Sequence, residues 1–240
     1  MNIKTVSIIG NGNVAFHYHK VMNAKGYCVK MISSRKGFIS EDVESDIVII
    51  AVKDDAIKDV LERLPRVSGL LVHTSGFTKT EILSQKADNY GCLYPLQSLN
   101  KNKEIDFSIV PLCFYVNNEA YLDCLKRFAN SLSDKTCFLS DEQRQYLHIA
   151  AVFANNFTNH LMGVSKEILE RNNIPFSMLF PIIDKTIDNI KTSDNILSLQ
   201  TGPAVRGDVN IINQHIEHLS DKEREVYLAV TKSIMDYHKA

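Results

Sequence analysis

The feature that most constrains this chain is a pair of glycines near its start. Residues 5–9, Thr-Val-Ser-Ile-Ile, have the apolar, β-branched character of a buried strand. They run directly into Gly10-Asn11-Gly12-Asn13-Val14-Ala15, after which apolar residues recur at helical spacing. In a strand and helix joined by GxGxxA, each small residue has a steric reason. Gly10 permits the tight turn, Gly12 lets a pyrophosphate approach the backbone, and Ala15 lets the helix pack closely on the strand. The helix N-terminus adds N–H groups without intrahelical partners and the positive end of its dipole. Gly10, Asn11, Gly12, Asn13 and Val14 are therefore expected to hold the phosphates of a dinucleotide. The alternative is a glycine turn with no ligand.

The pattern after residue 15 decides what surrounds that turn. Strand-like runs at 27–33, 46–52, 69–74, 92–94, 108–116 and 136–139 alternate with helical periodicity, as in Ile57, Val60, Leu61 and Leu64 and again in Leu122, Leu125, Phe128, Ala129 and Leu132. Continuous apolar runs such as Ile47-Val48-Ile49-Ile50-Ala51-Val52 suit parallel strands covered on both faces. Near Ser140 the character changes. Ser140-Asp141-Glu142-Gln143 has the spacing of a capping box and opens one long helix to about Asn172, and only helices follow, the last introduced by a second box at Ser220–Glu223. Pro181 should start, kink or break the helix near it. The expected architecture is α/β, a Rossmann-type doubly wound, mostly parallel sheet over residues 1–139, followed by an all-α domain over 140–240.

Composition removes other classes of function. A formal net charge of -1 with scattered basic residues offers no footprint for nucleic acid or an anionic membrane. Five cysteines without CxxC spacing argue against a disulfide framework or a zinc site, and no Cys/His cluster supports a metal. With no signal peptide or bilayer-spanning run read from the sequence, a cytoplasmic location is expected.

Ligands of open α/β sheets bind at the carboxyl ends of the strands, so those loops hold the remaining candidates. The second strand ends in Ser33-Ser34-Arg35-Lys36, where a protein binding NAD usually carries an acid on the ribose hydroxyls. Hydroxyls and a guanidinium there suit a 2′-phosphate instead, which makes NADP the expected cofactor; a solvated loop is the alternative. Val52 and Lys53 follow the third strand, and Thr74, Ser75 and Gly76 the fourth; these are expected to line the cofactor groove, or else the hydroxyls satisfy a turn of their own. Tyr94, in Cys92-Leu93-Tyr94-Pro95-Leu96-Gln97, is the candidate proton donor, or a half-buried phenol bonded to backbone. Along the long helix His148, Asn155 and Asn159 are expected to share one face, since seven residues turn about 700° and eleven about 1100°. His148 and Asn155 are thus candidate catalytic partners of Tyr94, the commoner role for such a histidine being a satisfied core group.

Taken together, Gly10 to Ala15, Ser33-Ser34-Arg35, the run from Ala51 to Ile57, His73-Thr74-Ser75-Gly76, Tyr94-Pro95-Leu96-Gln97, and Thr201-Gly202-Pro203 with Arg206-Gly207-Asp208 resemble a known family. It is that of the Rossmann-like proteins with a C-terminal all-helical domain of unknown function, related to pyrroline-5-carboxylate reductase and the 6-phosphogluconate dehydrogenase superfamily. The resemblance implies an NADP-dependent oxidoreductase that dimerises through the helical domain. Two features depart from the wider superfamily. No Lys precedes Asn155 or Asn156 by four residues, and Tyr94 stands where His more usually precedes the proline. The expected function is hydride transfer between NADPH and a small carbonyl or imine in an interdomain cleft, with Arg206 available to an anionic substrate and the 201–208 loop either closing the cleft or connecting two helices. The alternative is a non-catalytic NADP-binding regulatory or interaction protein.

Overall fold

A computed structural model describes residues 2–35 and 37–238. The chain divides into two compact units, Met1–Asn155 and Asn156–Ala240.

The first unit is built on seven strands: β1 (Thr5–Ile9), β2 (Cys28–Ile32), β3 (Ile47–Ile50), β4 (Leu70–His73), β5 (Tyr90–Pro95), β6 (Leu112–Val116) and β7 (Thr136–Phe138). They lie in the order β2-β1-β3-β4-β5-β6-β7, all neighbours parallel except the antiparallel pair β5 and β6. The order reverses between β1 and β3, which makes the end of β1 the topological switch point. Alternate side chains feed two cores. Val6, Ile8, Ile47, Ile49, Leu70 and Val72 pack under α1 (Asn13–Ala24) and α3 (Leu122–Leu132), while Ile9, Val48, Ile50 and Leu71 pack under α2 (Ile57–Arg63). Each fully buried Ile or Leu contributes roughly 1.5–3 kcal/mol. Tyr18 of α1 crosses the core to donate to Leu93 O at 2.8 Å, tying the helix to β5.

The expected strand at 108–111 is absent. A 3-10 turn, Phe107–Ile109, stands there, capped by Asp106, whose carboxylate accepts from Ser108 N at 3.0 Å. Local capping and Pro111 delay β6 to Leu112.

The Ser140 capping box forms as expected, with Ser140 Oγ accepting from Gln143 N at 3.2 Å and Gln143 Oε1 accepting from Ser140 N at 3.0 Å. The helix it opens is not uniform. α4 (Asp141–Ala151) gives way to a π-helical stretch, Val152–Phe157, before α5 (Thr158–Arg171). A π-helical stretch carries an extra residue per turn, so the spacing that aligned Asn155 and Asn159 with His148 does not carry through it.

The second unit continues with α6 (Phe180–Thr192), α7 (Pro203–Arg206), α8 (Val209–Glu217) and α9 (Asp221–His238). Pro181 starts α6 rather than kinking it, occupying a first-turn position where no N–H is needed. Glu223 anchors the unit. It takes two hydrogen bonds from Arg171, at 3.0 and 3.1 Å, and one from Ser220 N at 2.8 Å. The Arg171 hydrogen bond, helped by Ser220, holds its carboxyl down at about 2.

Candidate functional site

The carboxyl ends of β1 to β5 form one edge, and the sequence-derived cofactor residues and Tyr94 fall along it. Gly10 has φ +137°, and a Cβ there would run into the carbonyl of Ala51, so only glycine fits. The chain is held there by Gly10 N donating to Ile32 O at 3.0 Å and Ala51 N donating to Ile9 O at 2.8 Å. Gly12, the residue before α1, is the opposite case: a Cβ built on it meets nothing within 4 Å. No side chain caps α1 and no acid stands in its first turn. A twelve-residue helix thus presents its N-terminal N–H groups beside a glycine that keeps the approach clear, which suits the phosphates of a dinucleotide. Asn11 and Asn13 are exposed and Val14 is half-buried against the core. Asn13 Oδ1 accepts from Lys101 N at 3.1 Å, fastening the loop after β5 over the start of α1.

Ser33, Ser34 and Arg35 form the turn after β2, with Arg35 N donating to Ser33 Oγ at 3.4 Å. Lys36 lies outside the described residues. A residue the sequence reading missed, Arg63 at the end of α2, donates from Nη2 to Ser34 O at 2.8 Å and sits 5.4 Å over the Phe38 ring. A second guanidinium therefore stands at this turn. No sequence pattern links positions 34 and 63; the parallel order β2-β1-β3 does.

Val52 packs beside Gly10, and Lys53 precedes the short turn Asp54–Ala56. Thr74 N donates to Ile50 O at 3.2 Å. Ser75, buried, donates from Oγ to Asp54 Oδ2 at 2.7 Å and accepts from Phe77 N and Thr78 N at 3.1 and 2.9 Å. Its hydroxyl is thus engaged in a turn, and it joins the loops after β3 and β4 to each other.

Next to that turn the structure brings Tyr94 and His148 together. Tyr94 Oη lies 3.0 Å from His148 Nδ1, with the rings edge to face at 5.9 Å. The phenol, left open between proton donor and backbone partner on sequence grounds, is bonded to an imidazole. Burial pushes the Tyr94 phenol up to about 12, nearby thiols adding to it. Gly76 makes the approach possible: a Cβ there would stand 2.5 Å from His148 Nδ1 and 2.8 Å from Tyr94 Cζ. Asn155 lies in the π-helical stretch.

What sets His148 in place is a cluster that sequence reading treated only as a helix start. Asp141 Oδ2 accepts from Thr80 N and Thr80 Oγ1 at 2.7 and 3.0 Å, and its Oδ1 accepts from Arg144 Nη1 at 2.7 Å. Arg144, 1% exposed, also donates to Thr78 O, and Gln145 Nε2 donates to Phe77 O at 2.7 Å. Four residues later on the same helix face comes His148. The one legible signal was a charged residue at that spacing from a candidate histidine. Beneath the cluster, burial and the Arg144 charge push the His73 imidazole down to about 4, and its Nδ1 accepts from Ser75 N at 3.2 Å. Among the described residues no group of three His, Cys, Asp or Glu is placed to hold a metal ion. In the second unit, Arg206 Nη2 lies 4.0 Å from Asp208 Oδ2.

Fold and edge define a Rossmann-type α/β protein with a glycine-lined helix N-terminus at its switch point and an all-helical C-terminal region. Residues 110–234, more than half of the chain, match the family model described as a domain of unknown function, DUF2520, and the chain belongs to that family. It is similar to the crystal structure of a candidate NADP oxidoreductase from Bacteroides fragilis, with 29% identity and TM-score 0.83 over 98% of each chain. An imine reductase from Myxococcus stipitatus in complex with NADP+ aligns at 15% identity and TM-score 0.63, covering 98% of this chain and 93% of that one. Plasmodium falciparum pyrroline carboxylate reductase with NADP bound aligns at 13% identity and TM-score 0.57, covering 98% of each. The last two speak to the fold alone. No curated protein matches the sequence.

Proposed function

We propose that this protein is an NADP-dependent oxidoreductase that reduces a small carbonyl or imine. The observation that carries the reading is the Tyr94–His148 pair, 3.0 Å apart on the same sheet edge as the glycine turn. The residues at that edge fit the cofactor. Gly10, Asn11, Gly12, Asn13 and Val14 would hold its pyrophosphate, Ser33, Ser34 and Arg35 its 2′-phosphate, and Val52, Lys53, Thr74 and Ser75 would line the path between. Support also comes from the similar structure from Bacteroides fragilis, which is described as an NADP oxidoreductase.

NADPH supplies the hydride when bound. The chain's own contribution is a proton and its replacement. With its acidity shifted to about 12, the Tyr94 phenol is fully protonated through the neutral range and donates from Oη toward the atom that gains negative charge. His148 Nδ1, in hydrogen-bond contact with Oη, orients the phenol and passes a proton to it as the ring takes one from solvent at Nε2. Ser75, with Asp54, keeps the neighbouring turn rigid and leaves proton transfer to the pair.

Assaying NADPH oxidation against a panel of cyclic imines and 2-keto acids tests the reading. Tyr94→Phe should lower turnover about 10²-fold with NADPH affinity unchanged. Stoichiometric NADPH binding with no oxidation across the panel would favour the regulatory alternative, and unchanged turnover in Tyr94→Phe would move the proton donor elsewhere.

A further inference from the structure

The five cysteines are free thiols, and two of them are neighbours across strands. Parallel pairing of β6 with β7 sets Cys113 opposite Cys137 in register. In-register partners project to the same face of a sheet, and paired strands lie about 4.8 Å apart, within the roughly 4.4–6.8 Å Cα separation that a disulfide spans. The two thiols differ in access. Cys137 is exposed on β7, the three-residue strand at the edge of the sheet, while Cys113 on the neighbouring β6 is 3% exposed. A reagent in solution meets Cys137, and Cys113 is reached through Cys137. We infer that Cys113 and Cys137 are a peroxide-responsive pair that closes reversibly to an intrachain disulfide.

The chemistry balances with a hydroperoxide as oxidant. Cys137 Sγ, as thiolate, attacks the hydroperoxide; an S–O bond forms, the O–O bond breaks, and the leaving oxygen departs as water or an alcohol, leaving a sulfenic acid. Cys113 Sγ then attacks the Cys137 sulfur. The S–S bond forms, the S–O bond breaks, and hydroxide leaves as water with the Cys113 proton. Two thiols and one hydroperoxide become one disulfide, water and an alcohol or a second water. Burial pushes the Cys113 thiol up to about 11, which keeps it from meeting the oxidant itself; it must lose its proton to attack Cys137, so the second step is the slower one. Parallel partners hold their Cβ atoms slightly wider than a disulfide prefers, about 4.8 Å against roughly 3.5–4.5 Å, and a short edge strand paired on one side only can close that gap. Across β6 in the other direction, Cys113 is in register with Tyr94 of β5, so one row of side chains joins the thiol pair to the phenol proposed as proton donor. Cys92, the remaining cysteine near this row, is fully buried and held up at about 12, out of reach of the reagent.

The test treats the full chain with one to a few equivalents of hydrogen peroxide, blocks residual thiols under denaturing conditions, and reads intact mass and peptide map. The expected result is three blocked thiols in place of five, a mass otherwise lower by two hydrogens, a cross-linked peptide joining residues 113 and 137, and full reversal by a thiol reductant. Cys28→Ser should leave the cross-link intact, while Cys113→Ala should leave Cys137 as a sulfenic acid trapped by dimedone. Wild-type protein that shows no 113–137 peptide, with Cys137 passing to sulfinic acid as fast as in Cys113→Ala, would overturn the inference.

Discussion

Gly76 carries more of the site than its size suggests. Its missing side chain is what admits both the His148 ring and the Tyr94 ring, since an added Cβ would sit 2.5 and 2.8 Å from them. Gly76→Ala should therefore separate Tyr94 from His148 and lower turnover about 10-fold or more, with NADPH affinity nearly unchanged; wild-type turnover in that variant would show that the pair is not used. Legibility at this scale was uneven. Gly10 and Gly12 could be read because backbone geometry demands small residues at fixed spacing, and Tyr94 because a strand end is a position in a pattern. Arg63, Asp54 and Arg144 could not, because each meets its partner through the fold: Arg63 reaches Ser34, Asp54 reaches Ser75, and Arg144 reaches Thr78.

Among the elements, α4 shows how a helix start can serve a site. Its Ser140 cap was plain in the sequence, whereas its docking was hidden, since a buried arginine looks like any other charge on a helix until its partners are known. Removing one member of a buried ion pair costs on the order of 3–5 kcal/mol, so Arg144→Ala should lower the free energy of unfolding in urea by about that much; a loss below about 1 kcal/mol would mean that Arg144 does not hold α4 to the 77–80 loop. The π-helical stretch Val152–Phe157 escaped notice because apolar periodicity continues through it. The link between α5 and α9 gives a pH test. Glu223 is held at about 2, below the ordinary carboxylate range near 4.5. Its interaction with Arg171 is thus fully present above that range and is lost as pH falls through about 2. Melting temperatures of wild type and Glu223→Gln should differ at pH 7 and converge toward pH 2; a constant difference would contradict the assignment.

On the scale of the whole molecule, the doubly wound sheet followed by helices was legible because period-2 and period-3.6 patterns are long and separate in this chain. The assembly is a proposal. Ile149, Phe153, Phe157 and Ile211 are exposed, Val152, Leu161, Ile216 and Leu219 half-buried, and Ile212 buried. We propose that the helical region pairs two copies of the chain, as surface of this kind favours; light scattering at micromolar concentration should give twice the 27.1 kDa chain mass, and a monomer would contradict it. Among the described residues no helix is long and apolar enough to cross a membrane. Cofactor choice is the claim on which the functional account turns, and a calorimetric titration of the wild type with NADPH and with NADH tests it most directly. The expected result is NADPH bound at least about 10-fold more tightly, with Arg35→Ala weakening NADPH alone by on the order of 1–3 kcal/mol. Equal affinities, or no binding of either dinucleotide by folded protein, would contradict it.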